Sequence, residues 1–213
     1  MSGPRVLTLF VLMLTIMLAG CGRRDAARPP GAGLITQEYR QCLADLRAAG
    51  IRFTPLPDSF HGGGCAIIGS VRLDDIGTPI GGLGAMTCPL ARSFTGWVRY
   101  GAVPAARQYL GSEIMRVETF GSYACRNING AQQGRRSEHA LANAVDVAAF
   151  VLKDGRRVSV LGGWTSADAR ERAFLRAVHA SACRRFATVL SPDYNALHRD
   201  HFHLDMGRGP FCR

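Results

Sequence analysis

The sequence predicts an α+β fold: an antiparallel sheet with flanking helices, supported by disulfides. Two patterns carry the prediction. Helical spacing of apolar residues comes first, and strand-like alternation follows with one helix between the strands. Six widely spaced cysteines also stand in the globular part, Cys42, Cys65, Cys88, Cys125, Cys183 and Cys212. Thr36 to Ala49 places Tyr39, Cys42, Leu43 and Leu46 at helical spacing, with Thr36 as N-cap and Gly50 as the stop. Pro55, Pro57 and Gly62-Gly63-Gly64 lead irregularly into a short apolar run, Ala66 to Ile68, and Val71 to Leu73 continues it as a second small strand. A helix starts after Thr87 and runs through Trp97, with Pro104 interrupting or restarting it. Ile114 to Phe120 alternates as a strand does. Val145 to Leu152, the turn Lys153-Asp154-Gly155 and Arg157 to Leu161 read as a hairpin. Ser166 caps an amphipathic helix to about Ala182, with His179 a cation near its C-terminal dipole. Thr188 to Leu190 and His201 to Met206 close the chain as strands, and no internal repeat is visible.

The first residues read as a targeting segment. Arg5 supplies a thin positive region, Val6 to Leu18 is almost wholly apolar, and Leu18-Ala19-Gly20-Cys21 follows. This is a secretory pattern with a small-residue cleavage site. The apolar run is shorter than the roughly 20 residues of a spanning helix. Leu-Ala-Gly-Cys resembles a bacterial lipobox, in which the cysteine becomes the lipidated first residue of the mature protein. The expected organisation is a lipoprotein signal peptide over residues 1–20, a lipidated flexible tether over 21–35 starting at Cys21, and one domain over 36–213. An ordinary cleaved signal that leaves Cys21 a spare thiol is the alternative. Export would place the domain on the periplasmic side of the membrane, lipid-anchored. Gly22, rather than an acid, follows Cys21 and favours the outer membrane where two membranes exist.

An exported chain with six further cysteines suggests up to three disulfides. Cys42 with Cys65 is the expected local pair, and Cys212 is expected to pin the C-terminus. The sequence contains no C-x-x-C pair, which argues against a cysteine zinc knuckle or a thioredoxin-like site. The formal charge is +10, and Lys153 is the only lysine. A basic surface favours anionic partners. The arginines are scattered without a compact basic block, so nucleic acid is not expected; wall polymers or lipid head groups suit an exported chain better. A monomer is expected.

The chemistry-bearing cluster is His198-Arg199-Asp200-His201-Phe202-His203-Leu204-Asp205. On a strand, period two puts Phe202, Leu204 and Met206 on one face and His201, His203 and Asp205 on the other. An apolar face anchored in a core and a histidine face held rigid suit a metal site. Asp205 reads as a buttress for a histidine or for the strand end. Catalytic zinc takes three protein ligands and leaves a position open, so further ligands are needed elsewhere. His139 and Asp146 are the candidates, in Ser137-Glu138-His139-Ala140-Leu141-Ala142-Asn143-Ala144-Val145-Asp146. Seven residues apart, they would face opposite ways on an uninterrupted strand. A turn between them is required, and Asn143, tolerant of positive φ, stands where it would form. Strand parity alone allows His201 as a fourth ligand beside His203.

Ser137-x-His139-x-x-x-x-Ala144-x-Asp146, followed by His201-x-His203, resembles the pattern of zinc peptidases that cut peptidoglycan stem peptides. These are the D-Ala-D-Ala dipeptidases, D-alanyl-D-alanine carboxypeptidases and penicillin-insensitive murein endopeptidases, which share a fold with the Hedgehog signalling domain. From about Thr36 to Arg213 the chain is similar to the bacterial extensin-like C-terminal family. Ser122-Tyr123-x-Cys125-Arg126-Asn127, Arg136-Ser137-Glu138-His139, Pro192-Asp193-Tyr194-Asn195 and the His198 to Gly207 run carry that similarity. The resemblance implies a Hedgehog/DD-peptidase-like fold and one Zn²⁺ ion held by His139, Asp146 and His203. It implies Asp200 as general base, His201 near the metal without ligating it, and Arg126 facing the substrate carbonyl. His198 and Ser137 would support these groups. The implied activity is a zinc metallopeptidase acting on peptidoglycan peptides, as carboxypeptidase or endopeptidase. A non-catalytic wall-binding lipoprotein that keeps the fold, and an adhesin using the arginine surface, remain the competing readings. The peptidases commonly carry glycine where Asn143 stands.

Overall fold

The structure, a computed structural model, describes residues 32–213. The signal segment, Cys21 and the tether as far as residue 31 lie outside the described residues. Helix α1 (Ala32–Ala48) begins before Thr36, which is therefore inside the helix rather than its cap. Its expected apolar stripe is the buried one: Cys42, Leu43 and Leu46 enter the core. Gly50, at φ +67°, ends it as the sequence implies.

The strands that follow are short. β1 (Arg52–Pro55), β4 (Ser70–Asp75) and β6 (Met86–Thr87) form a small sheet in the order β1-β4-β6. β2 (Ser59–Phe60) and β3 (Ala66–Ile67) pair as a separate ribbon around the triple glycine. Helix α2 (Cys88–Trp97) then continues through two π-helical turns, Val98–Ala102 and Ala106–Leu110. Pro104 lies between these turns and does not break the helix. Proline removes one N–H and crowds the preceding turn; the wider π turns on either side accommodate it.

The main sheet holds β5 (Ile80–Gly81), β7 (Ile114–Gly121), β8 (Ala144–Leu152), β9 (Arg157–Ser159), β10 (Thr188–Leu190), β11 (Phe202–Asp205) and β12 (Phe211–Cys212). Their order is β12-β10-β11-β8-β7-β5, with β9 also on β8. The expected antiparallel sheet is mixed, because β5 runs parallel to β7 and β12 parallel to β10. Both exceptions are two-residue strands at the two edges of the sheet. The 145–152 hairpin forms as read, with β9 turning at Ser159 into a helical turn, Val160–Gly163.

Helix α3 (Ala169–Cys183) is capped by Asp168, whose side chain accepts from the Arg170 N–H, and not by Ser166. Ser166 instead accepts from the Asp168 N–H one step earlier in the approach. Helices α2 and α3 cover one face of the main sheet. Trp97, Phe94, Phe150 and Phe174 are fully buried between them, and Trp97 Nε1 donates to the Val178 carbonyl at 3.1 Å. A Cβ at Gly101 would lie 2.4 Å from Ser181 Oγ, so glycine is what allows that approach. His179 lies between Trp164 and Phe202. Burial lowers its pKa, so it is not the helix-end cation expected.

A register shift between Glu118 and Thr119 of β7 puts Ala149 and Val147 of β8 opposite consecutive residues, leaving Ala148 as a bulge. Val145 and Val147 face the helices before the bulge, and Phe150 and Leu152 do so after it. Asp146 is thereby left on the opposite face.

The cysteines pair as Cys42–Cys88, Cys65–Cys125 and Cys183–Cys212. The expected Cys42–Cys65 pair is wrong. Cys42 points from α1 into the core at the start of α2, whereas Cys65 faces the segment around Cys125. Cys212 does fasten the C-terminal strand. Among the described residues no helix is long and apolar enough to cross a membrane. Cys42–Cys88 joins two core helices across a 46-residue separation, so replacing both cysteines by alanine should lower unfolding free energy by about 2–4 kcal/mol. Urea denaturation measures this, and unchanged stability would show that α1 docks without the bond.

Candidate metal centre

The centre begins with one strand register. β8 and β11 pair with His203 directly opposite Asp146, Leu204 opposite Val145 and Phe202 opposite Val147. Alternation then sorts the side chains. Val145, Val147, Phe202 and Leu204 go to the core, while Asp146, His203 and Asp205 share the other face. The parity read from the sequence holds here.

His139 arrives from a 3₁₀ turn, Glu138–Leu141, whose N-cap is Ser137; the Ser137 hydroxyl accepts from the His139 N–H at 3.3 Å. The required reversal occurs at Ala142, at φ +54°, and not at Asn143. Left-handed backbone costs a non-glycine residue about 1–2 kcal/mol. Ala142 is held there by its N–H on the His139 carbonyl and its carbonyl on the Thr87 N–H. Asn143 serves through its side chain: Nδ2 donates to Glu138 Oε2 at 2.7 Å, and Oδ1 accepts from Thr87 Oγ1 at 2.9 Å. These bonds tie the His139 turn to the start of α2.

The three expected ligands meet. His139 Nε2 lies 3.1 Å from Asp146 Oδ2 and 3.2 Å from His203 Nδ1, and His203 Nδ1 lies 2.9 Å from Asp146 Oδ1. All three residues are buried. Donors about 2.0–2.1 Å from a tetrahedral zinc ion stand roughly 3.3–3.4 Å apart. Two imidazole nitrogens and a carboxylate at the observed spacing fit one such ion with small adjustments. Behind His203, Asp205 Oδ2 lies 3.0 Å from Nε2, while its Oδ1 accepts from the Gly207 N–H at 2.8 Å. Asp205 thus buttresses both the histidine and the strand end. A carboxylate behind a ligating histidine fixes the ring and raises its basicity.

Burial alone would raise the Asp146 pKa, but the hydrogen bonds and positive charge of His139 and His203 outweigh it and hold the carboxyl well below its usual range. Burial alone would lower His203, yet its bonds to Asp146 and Asp205 lift it to about 9. His198 carries no such support; burial, then repulsion from His201 and His203, brings it down to about 4.

The remaining expected residues lie around this core. Asp200 Oδ1 is 2.8 Å from His201 Nδ1, and His201 Nε2 is 3.6 Å from Asp146 Oδ1. His201 stands outside the three-donor group. Arg126 Nη2 is 3.5 Å from Asp146 Oδ2. The Cys65–Cys125 bond and the Ala124 N–H on the His139 carbonyl fasten its segment. His198 Nδ1 lies 2.8 Å from Asn195 Oδ1, with its ring 5.2 Å from that of His201.

The centre opens into a cleft of about 330 Å³. His203, His198 and Arg126 line it together with Arg135, Arg208, Tyr194 and Phe211, which sequence reasoning had not placed there. The two arginines belong to the scattered basic set and carried no spacing signal. Tyr194 and Asn195 did stand in a segment singled out for resemblance. Phe120, edge-on to the His201 ring at 5.8 Å, had been read only as a strand residue.

The family described as extensin-like protein C-terminus matches residues 40–213, and the chain belongs to that family. No curated protein and no solved structure matches the chain.

Two outcomes follow from the geometry. Asp205→Asn should weaken zinc binding by about 10–100-fold while the fold persists, as read by competition with a chromophoric chelator and by circular dichroism. In chelator-treated protein, the raised His203 pKa contributes stability that is complete below about pH 6.5 and lost as pH rises toward 9. The lowered His198 pKa removes stability as pH falls from 6.5 toward 4. Thermal melts should therefore peak near pH 6.5; a melting temperature that climbs steadily from pH 6.5 to 9 would contradict the His203 assignment.

Proposed function

We propose that this chain is a zinc-dependent peptidase that hydrolyses peptide bonds in peptidoglycan stem peptides or their cross-links, on a Hedgehog/DD-peptidase-like fold. The observation that carries the reading is the convergence of His139, Asp146 and His203 on one point, with Asp200 and His201 beside it. A structural polar cluster needs no acid held against a further histidine beside the three-donor group.

His139, Asp146 and His203 would hold a zinc ion, which when bound would supply a Lewis acid for a carbonyl and for water. Asp200 accepts the proton of the attacking water and returns it to the leaving amine. His201, fixed by Asp200 through Nδ1, orients that exchange. Arg126 donates to the oxygen on which negative charge develops. His198, kept neutral by burial, packs behind His201 without adding charge. Arg135 and Arg208 form no ion pair among the described residues and suit the carboxylates of stem peptides. Export, with the mature chain tethered through lipid on Cys21, would bring the cleft to that substrate as a monomer.

The test is digestion of purified muropeptides with and without chelator, read by mass spectrometry. Chelator-sensitive products are expected. Asp200→Ala should retain zinc and lose at least 100-fold in turnover, whereas His203→Ala should lose both. Zinc-loaded protein that binds muropeptides and never cleaves them would instead support the wall-binding reading. Equal zinc loss in the two variants would overturn the division of roles.

A further inference from the structure

A second cluster of donors lies on the far side of Phe202 from His203, and no step proposed above uses it. His179 and Cys183 are four residues apart on α3 and therefore share a face. Cys212 meets them from β12. His179 Nε2 is 3.9 Å from Cys183 Sγ and 3.8 Å from Cys212 Sγ. We propose that His179, Cys183 and Cys212 form a redox-controlled metal site: once a dithiol reductant opens the Cys183–Cys212 bond, the two sulfurs and the imidazole bind one zinc-class cation.

The chemistry balances without any other reactant. The dithiol gives up two electrons and two protons and leaves as its own disulfide. The protein S–S bond breaks and two thiols form. The incoming cation then displaces both thiol protons to solvent, because thiolate is the ligating form.

Three features favour this site. First, a tetrahedral ion with Zn–S near 2.3 Å and Zn–N near 2.0 Å places nitrogen and sulfur roughly 3.5 Å apart. The His179 nitrogen already stands at close to that spacing from both sulfurs. Second, the donors are held by contacts that do not depend on the disulfide. The imidazole lies against Trp164 and Phe202, with ring centroids 5.6 and 5.8 Å away. The backbone bonds Phe211 N–H to Ala187 carbonyl and Arg213 N–H to Val189 carbonyl bracket Cys212. Reduction therefore leaves the two thiols close together. Third, Cys183–Cys212 is the disulfide with neither cysteine buried: Cys183 is half-buried and Cys212 exposed, whereas Cys42 and Cys88 are both buried and the exposed Cys125 is bonded to the buried Cys65. A reductant in native buffer reaches this disulfide first. The cation site also borders the cleft structurally, since Phe211, one residue before Cys212, lines it.

The test uses Co²⁺ in place of Zn²⁺, because cobalt bound to thiolate gives a sulfur-to-metal charge-transfer band in the near ultraviolet. The His139–Asp146–His203 group contains no sulfur and cannot produce it, so this experiment and the peptidase assay fail independently. The full protein is reduced with a dithiol in native buffer, desalted anaerobically and titrated with Co²⁺; alkylation mass mapping identifies the opened cysteines. Alkylation is expected at Cys183 and Cys212, with a band that saturates at one ion per reduced pair and is absent from oxidised protein. Cys183→Ser should abolish the band. His179→Ala, which keeps the disulfide when oxidised and so tests a folded chain, should weaken cobalt binding at least tenfold. Absence of the band after both thiols are mapped, a band of unchanged affinity in His179→Ala, or its persistence in Cys183→Ser would overturn the proposal. Alkylation falling first on Cys42, Cys65, Cys88 or Cys125 would do the same.

Discussion

The pairing of β8 with β11 is the constraint on which the rest depends. It sets His203 across from Asp146 with their flanking residues in the core, so two candidate ligands 57 residues apart in sequence become cross-strand neighbours. A slip of β11 by one residue against β8 would turn His203 toward the core and bring Phe202 and Leu204 to the face that holds Asp146. Such a slip strands buried charge and exposes apolar surface at once. Packing of the core and definition of the site are therefore the same requirement seen from the two faces of one sheet.

Other elements hold what this register begins. The bulge at Ala148 lets β8 present Phe150 and Leu152 to the helices while Asp146 stays outside. The helix that passes Pro104 through π turns supplies a continuous apolar wall, with Trp97 at its centre. The His139 turn is carried by small, bonded residues: Ala142 in the left-handed region, and Asn143 bridging Glu138 and Thr87. A Cβ on Gly207 would lie 2.6 Å from the Glu138 carboxylate, so the strand exit also leaves room for that bridge.

What was legible in the sequence was local. The alternation of Phe202, His203, Leu204 and Asp205 discloses two faces because strand period is a property of adjacent residues. The stripe of α1 and the need for a reversal between His139 and Asp146 are equally local. Its location was not. Asn143 is the better left-handed residue by intrinsic preference, yet Ala142 takes that conformation because its neighbours' hydrogen bonds require Asn143 elsewhere. Disulfide partners depend on how distant segments return, which explains why Cys42 finds Cys88 and not the nearer Cys65. The parallel edge strands are two residues long and carry no periodicity. Assignment of His203 over His201 came from resemblance, because both rings carry a carboxylate and parity does not rank them; in the structure His203 Nδ1 lies within 3.2 Å of both His139 and Asp146, whereas His201 is 3.6 Å from Asp146.

The Cys65–Cys125 bond has a consequence beyond holding a loop. It connects the β2–β3 ribbon to the segment whose Ala124 N–H bonds the His139 carbonyl and whose Arg126 reaches Asp146. Arg136 fastens the same ribbon from the other side through the Gly63 carbonyl and Asn127. Closing this bond and filling the centre therefore restrict the same few backbone units. Two events that order the same atoms assist each other, and the assistance is reciprocal by thermodynamic necessity. A chain that has closed the bond would be the better receptor for the proposed ion, and a chain that had taken it up would be the better substrate for oxidation. On the proposed metal reading, maturation of this domain would be one coupled process, with sulfur chemistry and metal loading as its two entry points.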